Sequence, residues 1–520
     1  MPGTARPASA RRIIVGLGSF NLRDARDAST MDVTYLGHAG LFIETRFGSI
    51  LCDPWFNPAY FASWFPFPSN EGVDLAAISR PTYLYLSHLH QDHFDPTFLR
   101  DHVSKEATVL LPDYPLDLLE RALRALGFTR FVRTANGQPL DLDGLRVAIS
   151  ALAAPLDGAM GDSALVVDDG TARIFDQNDA KPRDLRTLNP LGPFDAHFLL
   201  HAGGSWYPMV YELPETAKRA LGRKKRENGL ARAHRYAEQV GASFVVPSAG
   251  PPCLLDDDLF AENDFDGDET NTHPDQTVFI DYLRAHGKDN GRLLIPGSVA
   301  TIERGRFAVR HPLPAGDVSA IFADKRSYLA AYKARKQPVI DAHKASWPRG
   351  RVEILPALRD WFEPLLDQAD RICRGVDGRV ILDFGDSGVV VDFRRRRVVP
   401  WHGETGEYRI TVDPALVESC ILRRAEDWAN EIFLSYRFRA SREGHYNEFL
   451  QCFFQSLSAE RIQFAEGFYA DQAAGQDYWF SHGYRIQRRC PHLRADLSRF
   501  GSIDNGVLTC ALHGWQFDLA

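Results

Sequence analysis

The stretch TYLYLSHLHQDHFDP, Thr82–Pro96, sets an apolar run of strand length directly before four potential metal ligands in six residues, His88, His90, Asp92 and His93. A strand ending near Ser87 passes the chain to a loop, and a loop over a strand end can turn several side chains toward one point. Imidazole and carboxylate suit zinc or iron, and a loop site leaves a coordination position open for substrate, water or oxygen. Outward from this stretch, VTYLGHAGLFIET, GSILCDPWF, RVAISAL, DSALVVDDGTARIFD and HFLLHAG are further strand-length apolar runs broken by Gly, Asp or Pro. Helical spacing falls between them in DPTFLRDHV, YPLDLLERALRAL and NGLARAHRYAEQV. This alternation predicts an α/β layered domain over residues 31–310. It follows an N-terminal extension, 1–30, whose GLG lacks the third glycine and the helix of a nucleotide loop.

At 520 residues and 44% hydrophobic content the chain can fill several cores. A net charge of −8 argues against broad nucleic-acid or anionic-membrane binding, because either needs a surplus of Lys and Arg. No apolar run approaches the roughly 20 residues that span a bilayer, and the opening arginines precede no hydrophobic segment of a signal peptide. Seven scattered cysteines do not resemble a secreted disulfide framework, so a reducing cytoplasm is expected. Residues 311–470 are predicted as a helical stretch, DKRSYLAAYKARKQPVIDAHKASW, joined to an α+β module. In that module RVILDFGDSGVVVDFRRRRVVPWHG with EYRITVDPALVESCIL reads as three strands with hairpin turns, and 425–470 reads as helical. The run Arg394–Arg397 reads as a solvated strand end or turn, with a docking patch for an acidic electron carrier as the other reading.

The C-terminal region, 471–520, turns to short strands, and CPH with CALH places Cys490, His492, Cys510 and His513 as C-x-H, a 17-residue gap, then C-x-x-H. Two thiolates and two imidazoles hold either one zinc or a Rieske [2Fe–2S] centre, with the cysteines on one iron and the histidines on the other. GYRIQRRCPHLRADLS and GVLTCALHGWQFDL, with the aromatic HGWxF continuation, resemble the Rieske motif of the oxygenase and ferredoxin type. Rieske domains normally run through more strands than the seven residues after His513 supply, so this all-β domain is expected to continue beyond Ala520.

YLGHAGLFIET, ILCDPWF and LSHLHQDHFDP resemble the opening of the metallo-β-lactamase fold, with its HxHxDH signature, over roughly residues 32–310. The resemblance implies an αββα sandwich in which His88, His90, Asp92 and His93 form the metal loop and Asp179, in ARIFDQND, is the bridging aspartate. Hydrolases of that fold usually add a histidine before the strand read as SALVV, where LDGAMGD offers Asp157 and Asp162. They also carry a late histidine where VVPSAGPP has Ser248. What remains, two or three histidines with Asp179, is nearer the two-His-one-carboxylate set of non-haem iron, with His88, His90 and Asp179 as the leading set and Asp92 and His93 for a second metal or for orienting the first. His201 and His273 are candidates for completing a second site, although a lone histidine is more often structural.

A one-electron cluster has no use in hydrolysis and a clear use beside an iron that activates oxygen. A metallo-β-lactamase-like domain joined to a Rieske domain resembles the CMP-N-acetylneuraminate hydroxylase family, and the likeness reaches HAGGSWYPMVYELP, VVPSAGPPCLL and IPGSVATI. In that family the Rieske segment leads, whereas here it comes last. The middle module is similar to a sterol-carrier domain through DFGDSGVVVDF and YRITVDPALVESCIL. Together the resemblances imply an iron-dependent monooxygenase with a [2Fe–2S] cluster and one or two non-haem irons. Its expected partners are O2, a small polar substrate such as a nucleotide sugar or amine, and an external donor: a ferredoxin, a cytochrome b5-like protein or a reductase. HxHxDH also keeps a zinc-dependent lactonase or phosphodiesterase open, and the middle module a redox-sensing or carrier protein. No nucleic-acid or membrane partner is expected, and assembly into a homo-oligomer is left open.

Overall fold

Two sheets share one set of inward-facing apolar residues, and their alternation sets the N-terminal architecture. The computed structural model of the chain describes residues 30–202, 206–265, 267–471, 478–491, 494–512 and 514–519. The expected extension up to residue 29, part of HAGGSWYPM, and the ligand candidates His492 and His513 lie outside the described residues. The first sheet has eight strands in the order Arg306–Arg310, Val299–Glu303, Met31–Gly37, Gly40–Thr45, Gly48–Cys52, Tyr83–Tyr85, Thr108–Leu111 and Phe131–Arg133. The second has six: Phe244–Ser248, Ala196–Leu200, Arg173–Asp176, Asp162–Asp168, Leu145–Leu152 and Leu140–Leu142. Val33 and Tyr35 pair with Ile43 and Leu41 on one face and meet Val147, Ile149, Leu165 and Phe198 of the other sheet in one buried cluster.

The opposite faces carry helices. Leu51, Leu84 and Val109 pack against Phe98 and Leu99 of the helix Pro96–His102 and against Leu119 and Leu123 of the helix Leu118–Ala125. Phe175, Leu199 and Val245 pack against Leu230, Ala233 and Tyr236 of the long helix Glu215–Val240. The result is the αββα metallo-β-lactamase sandwich. Helices Ala315–Ala323 and Lys325–Ala345 also lie on this domain, through Val318, Ile321, Leu329 and Tyr332 against Phe65, Phe67 and Cys253.

The middle module departs from its sequence reading in two places. It has a five-stranded sheet, ordered Arg397–Pro400, Gly388–Asp392, Arg379–Asp383, Tyr408–Val412 and Phe438–Arg442. The segment expected to give three strands gives four and then a helix, Pro414–Arg423, because Asp413 accepts from the Ala415 amide and a proline opens the first turn. The region expected as helical throughout contains the strand Phe438–Arg442. There Phe438 and Ala440 face the core while Arg439 is exposed, and pairing with Tyr408–Val412 overrides the helical spacing around it. Arg394–Arg396 lie in a turn and Arg397 opens the next strand, with Arg394 paired to Asp377 and Glu407 and Arg396 to Asp370.

The last region is a hairpin, Tyr478–Ser481 with Tyr484–Gln487, and a three-stranded sheet, Gly501–Asp504, Val507–Cys510 and Gln516–Asp518. Among the described residues no helix is long and apolar enough to cross a membrane.

Candidate metal centre

The sheets bring their strand ends to one edge. Gly48–Cys52 runs parallel to Tyr83–Tyr85, and Arg173–Asp176 parallel to Ala196–Leu200, so Asp53, the His88–His93 loop and Asp179 all follow C-terminal strand ends. Met31–Gly37 ends at the same edge, since two antiparallel pairings separate it from Gly48–Cys52. His38, Asp53 and Asn178 there adopt left-handed backbone conformations with φ of 54°, 37° and 53°. Such conformations cost about 1–3 kcal/mol each and collect where side chains must be aimed.

Two sets of donors converge. His88, His90 and Asp179 can each place one ligand atom within 4.8 Å of the others, and so can His38, His93 and Asp179. Asp179 therefore belongs to both, the arrangement of a carboxylate between two ions. His88 Nε2 and His90 Nδ1 face each other at 2.9 Å. Asp92 stands beside the second set, its Oδ2 at 2.8 Å from His38 Nε2 while its Oδ1 accepts from the Tyr60 hydroxyl at 2.5 Å.

Neighbouring groups fix which ring nitrogens remain available. His93 Nδ1 donates to Asp53 Oδ2 at 2.8 Å, which leaves Nε2 buried with no hydrogen-bond partner. Ser87 Oγ donates to Asp53 at 2.5 Å and takes the Nδ1 proton of His88 at 2.9 Å, so the His88 Nε2 lone pair points at the site. Burial, with the charges of nearby histidines, holds His88 below the ordinary imidazole range, and burial brings His90 down to about 4; both rings are neutral near pH 7. Burial also acts on His93, but Asp92, Asp53 and Asp179 outweigh it and raise this group to about 10. Asp179 Oδ1 is likewise buried without a hydrogen-bond partner. A buried ring nitrogen and a buried carboxylate oxygen left without hydrogen-bond partners, in an all-nitrogen-and-oxygen donor set, fit iron or zinc, whose charge would displace the His93 proton.

The remaining candidates separate cleanly. Asp162 sits with Oδ1 3.4 Å from His88 Nδ1, and burial with the charge of Asp179 pushes its carboxyl far up. Asp157 pairs with Arg183 and is spent there. Gly158 passes so close that a Cβ would lie 2.9 Å from the His88 ring, so glycine is required. His201 donates to the Pro274 carbonyl at 3.1 Å and stacks on Phe279, and His273 meets the Tyr436 hydroxyl at 3.2 Å. Neither belongs to the second set; His38 does. The histidine of YLGHAG gives a weak signal by itself, a turn residue at a strand end, and its carbonyl is pinned by the Tyr35 hydroxyl and the Ala249 amide, each at 2.8 Å.

At the C-terminal cluster, Cys490 and Cys510 are buried in one apolar group with Ala495, Leu497, Phe500 and Leu512, and neither forms a disulfide. Reduced, sheltered thiols fit ligation of a [2Fe–2S] cluster. This domain packs on the sandwich: Asp496 N donates to Arg183 O at 3.2 Å, and Arg232 and Arg235 of the long helix donate to the carbonyls of Leu512 and Arg499.

The Rieske [2Fe–2S] domain model matches residues 481–520, and the model described as Rv3818-like, SCP2-like domain matches 354–471. A Mycobacterium tuberculosis protein named for a Rieske 2Fe-2S iron-sulfur centre, Rv3818, is 50% identical over 498 residues, covering 94% of this chain and 96% of its own. Among solved structures, the metallo hydrolase Igni18 of Ignicoccus hospitalis aligns at 18% identity and TM-score 0.36, over 53% of this chain and 99% of its own. CmlA, a diiron beta-hydroxylase from Streptomyces venezuelae, aligns at 17% identity and TM-score 0.35, over 54% of this chain and 55% of its own.

Proposed function

Because the chain belongs to the family of the Rv3818-like Rieske proteins, we propose that it is an iron-dependent monooxygenase fed with electrons through its own Rieske domain. The observation that carries this reading is the pair of donor sets sharing Asp179, with the Rieske domain seated on the segment that follows Asp179. When bound, the [2Fe–2S] cluster supplies single electrons and non-haem iron supplies the activation of O2. In the chain itself, His88, His90 and Asp179 would hold one ion, and His38, His93 and Asp179 would hold a second. Asp53 and Ser87 keep the ring nitrogens of His93 and His88 aimed inward. Asp92 orients His38, and Tyr60 fixes Asp92. Cys490 and Cys510, with His492 and His513 of the sequence motif, would ligate the cluster. Arg183, four positions after Asp179, offers its carbonyl to the Asp496 amide, so the electron path stays within one chain.

A small polar metabolite, such as a nucleotide sugar or amine, is the substrate class, oxygenated at carbon or nitrogen. Metal and sulfide analysis of the purified protein tests the reading: iron should exceed the two ions that accompany each cluster's acid-labile sulfide. Zinc alone at the N-terminal centre rejects it. Such a protein would be a hydrolase, whose activity persists without oxygen or reductant because a zinc-bound water is already the nucleophile.

A further inference from the structure

Pro182, Arg183 and Asp184, shortly after Asp179, are all engaged at the border of the Rieske domain. The Pro182 carbonyl accepts from the Tyr236 hydroxyl at 2.9 Å, and the Tyr236 ring packs on Phe500 with centroids 5.3 Å apart. The Arg183 carbonyl accepts from the Asp496 amide at 3.2 Å, and Asp184 pairs with Arg489 at 3.5 Å. Arg489 and Asp496 flank the first cysteine loop. That loop is closed on itself, since Cys490 N donates to the Ala495 carbonyl and Arg494 N to the Cys490 carbonyl, each at 2.9 Å. Asp496 is fully buried at its end. Whatever holds Arg489 and Asp496 therefore holds Cys490.

The side chain of Arg183 leads to a different loop, Ala154–Gly161. Arg183 Nη2 donates to Asp157 Oδ1, and both side chains are largely buried. Asp157 also braces its own loop: its Oδ2 accepts from the Ala154 amide at 2.8 Å and its carbonyl from the Gly161 amide at 2.7 Å. The next residue, Gly158, lies against the His88 ring, and its carbonyl accepts from Gln455 Nε2 of the middle domain at 2.7 Å. Just past the loop, Asp162 Oδ1 stands 3.4 Å from His88 Nδ1. The loop that backs His88 is thus the place where all three domains meet.

Resting on the function proposed above, we infer that Arg183 is a positioning residue for electron delivery. With its carbonyl on Asp496 and its guanidinium on Asp157, it fixes the Cys490 loop against the loop that backs His88. One residue makes both contacts, so the two loops cannot shift relative to each other without breaking one of them. The contact to Asp157 is a charge-assisted hydrogen bond, stronger than a neutral one, and its burial shields it from salt. The second cysteine loop has its own tie, from Arg232 to the Leu512 carbonyl, whereas the first is tied to the ligand side through Arg183 and Asp184. Delivery between two centres depends on their separation, and a small displacement of positioned groups is costly in rate.

Hydrogen exchange in the iron- and cluster-loaded full chain, followed by mass spectrometry, tests the positioning without turnover. Arg183→Met should speed exchange about tenfold or more in peptides covering 494–500 and 154–161, with iron and acid-labile sulfide unchanged. Arg183→Lys, which keeps a cation for Asp157, should stay within about threefold of the wild type. Arg183→Met combined with Asp157→Asn removes the lone carboxylate that the single change leaves behind, and should exchange as fast as Arg183→Met. Return to wild-type exchange in that double variant overturns the inference, because an uncompensated charge would then account for the loosening. The double variant also decides if Arg183→Met alone does not fold. Flash photoreduction under argon supplies the second readout. One electron enters the cluster and leaves it for a ferric ion of the N-terminal centre, which becomes ferrous, so the oxidised cluster's absorption returns. Arg183→Met should slow that return about tenfold or more, and Arg183→Lys should restore most of the rate. An unchanged return rate, or unchanged exchange over 494–500, overturns the inference. If the N-terminal centre holds zinc, the absorption returns in no variant and the proposed function falls, while exchange still decides what holds the Cys490 loop.

Discussion

The middle and Rieske domains both pack on the sandwich, yet they grip different parts of the metal centre. The middle domain reaches the ligand loop itself. Asn430 Nδ2 donates to the Leu89 carbonyl at 2.9 Å, its Oδ1 accepts from the Gln91 amide at 3.2 Å, and its carbonyl accepts from Gln91 Nε2 at 2.8 Å. Gln91 Oε1 in turn accepts from the Tyr60 amide at 2.8 Å. Tyr60, Phe61 and Ala62 form a left-handed turn with φ of 53°, 56° and 55°, a conformation costing about 1–2 kcal/mol per residue. Arg437 of the middle domain donates to the carbonyls of Phe61 and Ala62 while paired with buried Asp256 at 2.7 Å. The Rieske domain, by contrast, is reached by side chains of the long helix over 3.2–3.3 Å and touches the centre through the segment after Asp179. One neighbour holds the ligands in place; the other is set down beside them.

The largest expected effect is at the residue both donor sets share. Asp179→Ala should lower affinity for the N-terminal ions beyond the roughly 10–100-fold typical of an outer-sphere change, with the cluster's visible absorption intact. Retention of full iron would break the two-set arrangement. Next, Cys490→Ala should abolish that absorption and reductant-driven turnover while N-terminal iron stays bound, because the ligands come from different domains. Wild-type turnover from the same donor by a folded, iron-loaded Cys490→Ala protein would sink the electron path.

Asn430→Ala sharpens the comparison. It strips partners from Leu89 and Gln91, which should cost about 1–3 kcal/mol in thermal unfolding and about 10–100-fold in metal retention against a chelator. Unchanged metal retention would reduce the middle domain to a spacer. The smallest effect belongs to the Rieske side. Arg235→Ala combined with Gln239→Ala removes two 3.3 Å hydrogen bonds to the Arg499 carbonyl and should slow turnover about threefold, with both metal contents unchanged. Loss of iron in this double variant would show that the Rieske contact, too, holds the centre.

Local sequence determined whatever is set by spacing along one segment. Four potential ligands in six residues after an apolar strand marked the metal loop, and C-x-H with C-x-x-H marked the Rieske motif, because in both the ligands lie close along one short segment. The apolar run VTYLGHAGLFIET was legible as strand, and the structure pairs its two halves, Val33 and Tyr35 with Ile43 and Leu41. His38 was not legible as a ligand. It stands 50 positions before His88 and is aimed inward by a register shift between Tyr35 and Gly37, which is a property of sheet pairing. Asn430 carried no local sign at all, since its task is to bond Leu89, 341 positions away. The strand Phe438–Arg442 was hidden for a related reason: five residues among helical spacing become a strand only when Tyr408–Val412 offers its edge. Sequence spacing fixes what one turn of chain can gather, whereas the second donor set and the clamp on the ligand loop exist only because packing of distant strands and helices brings their residues to one place.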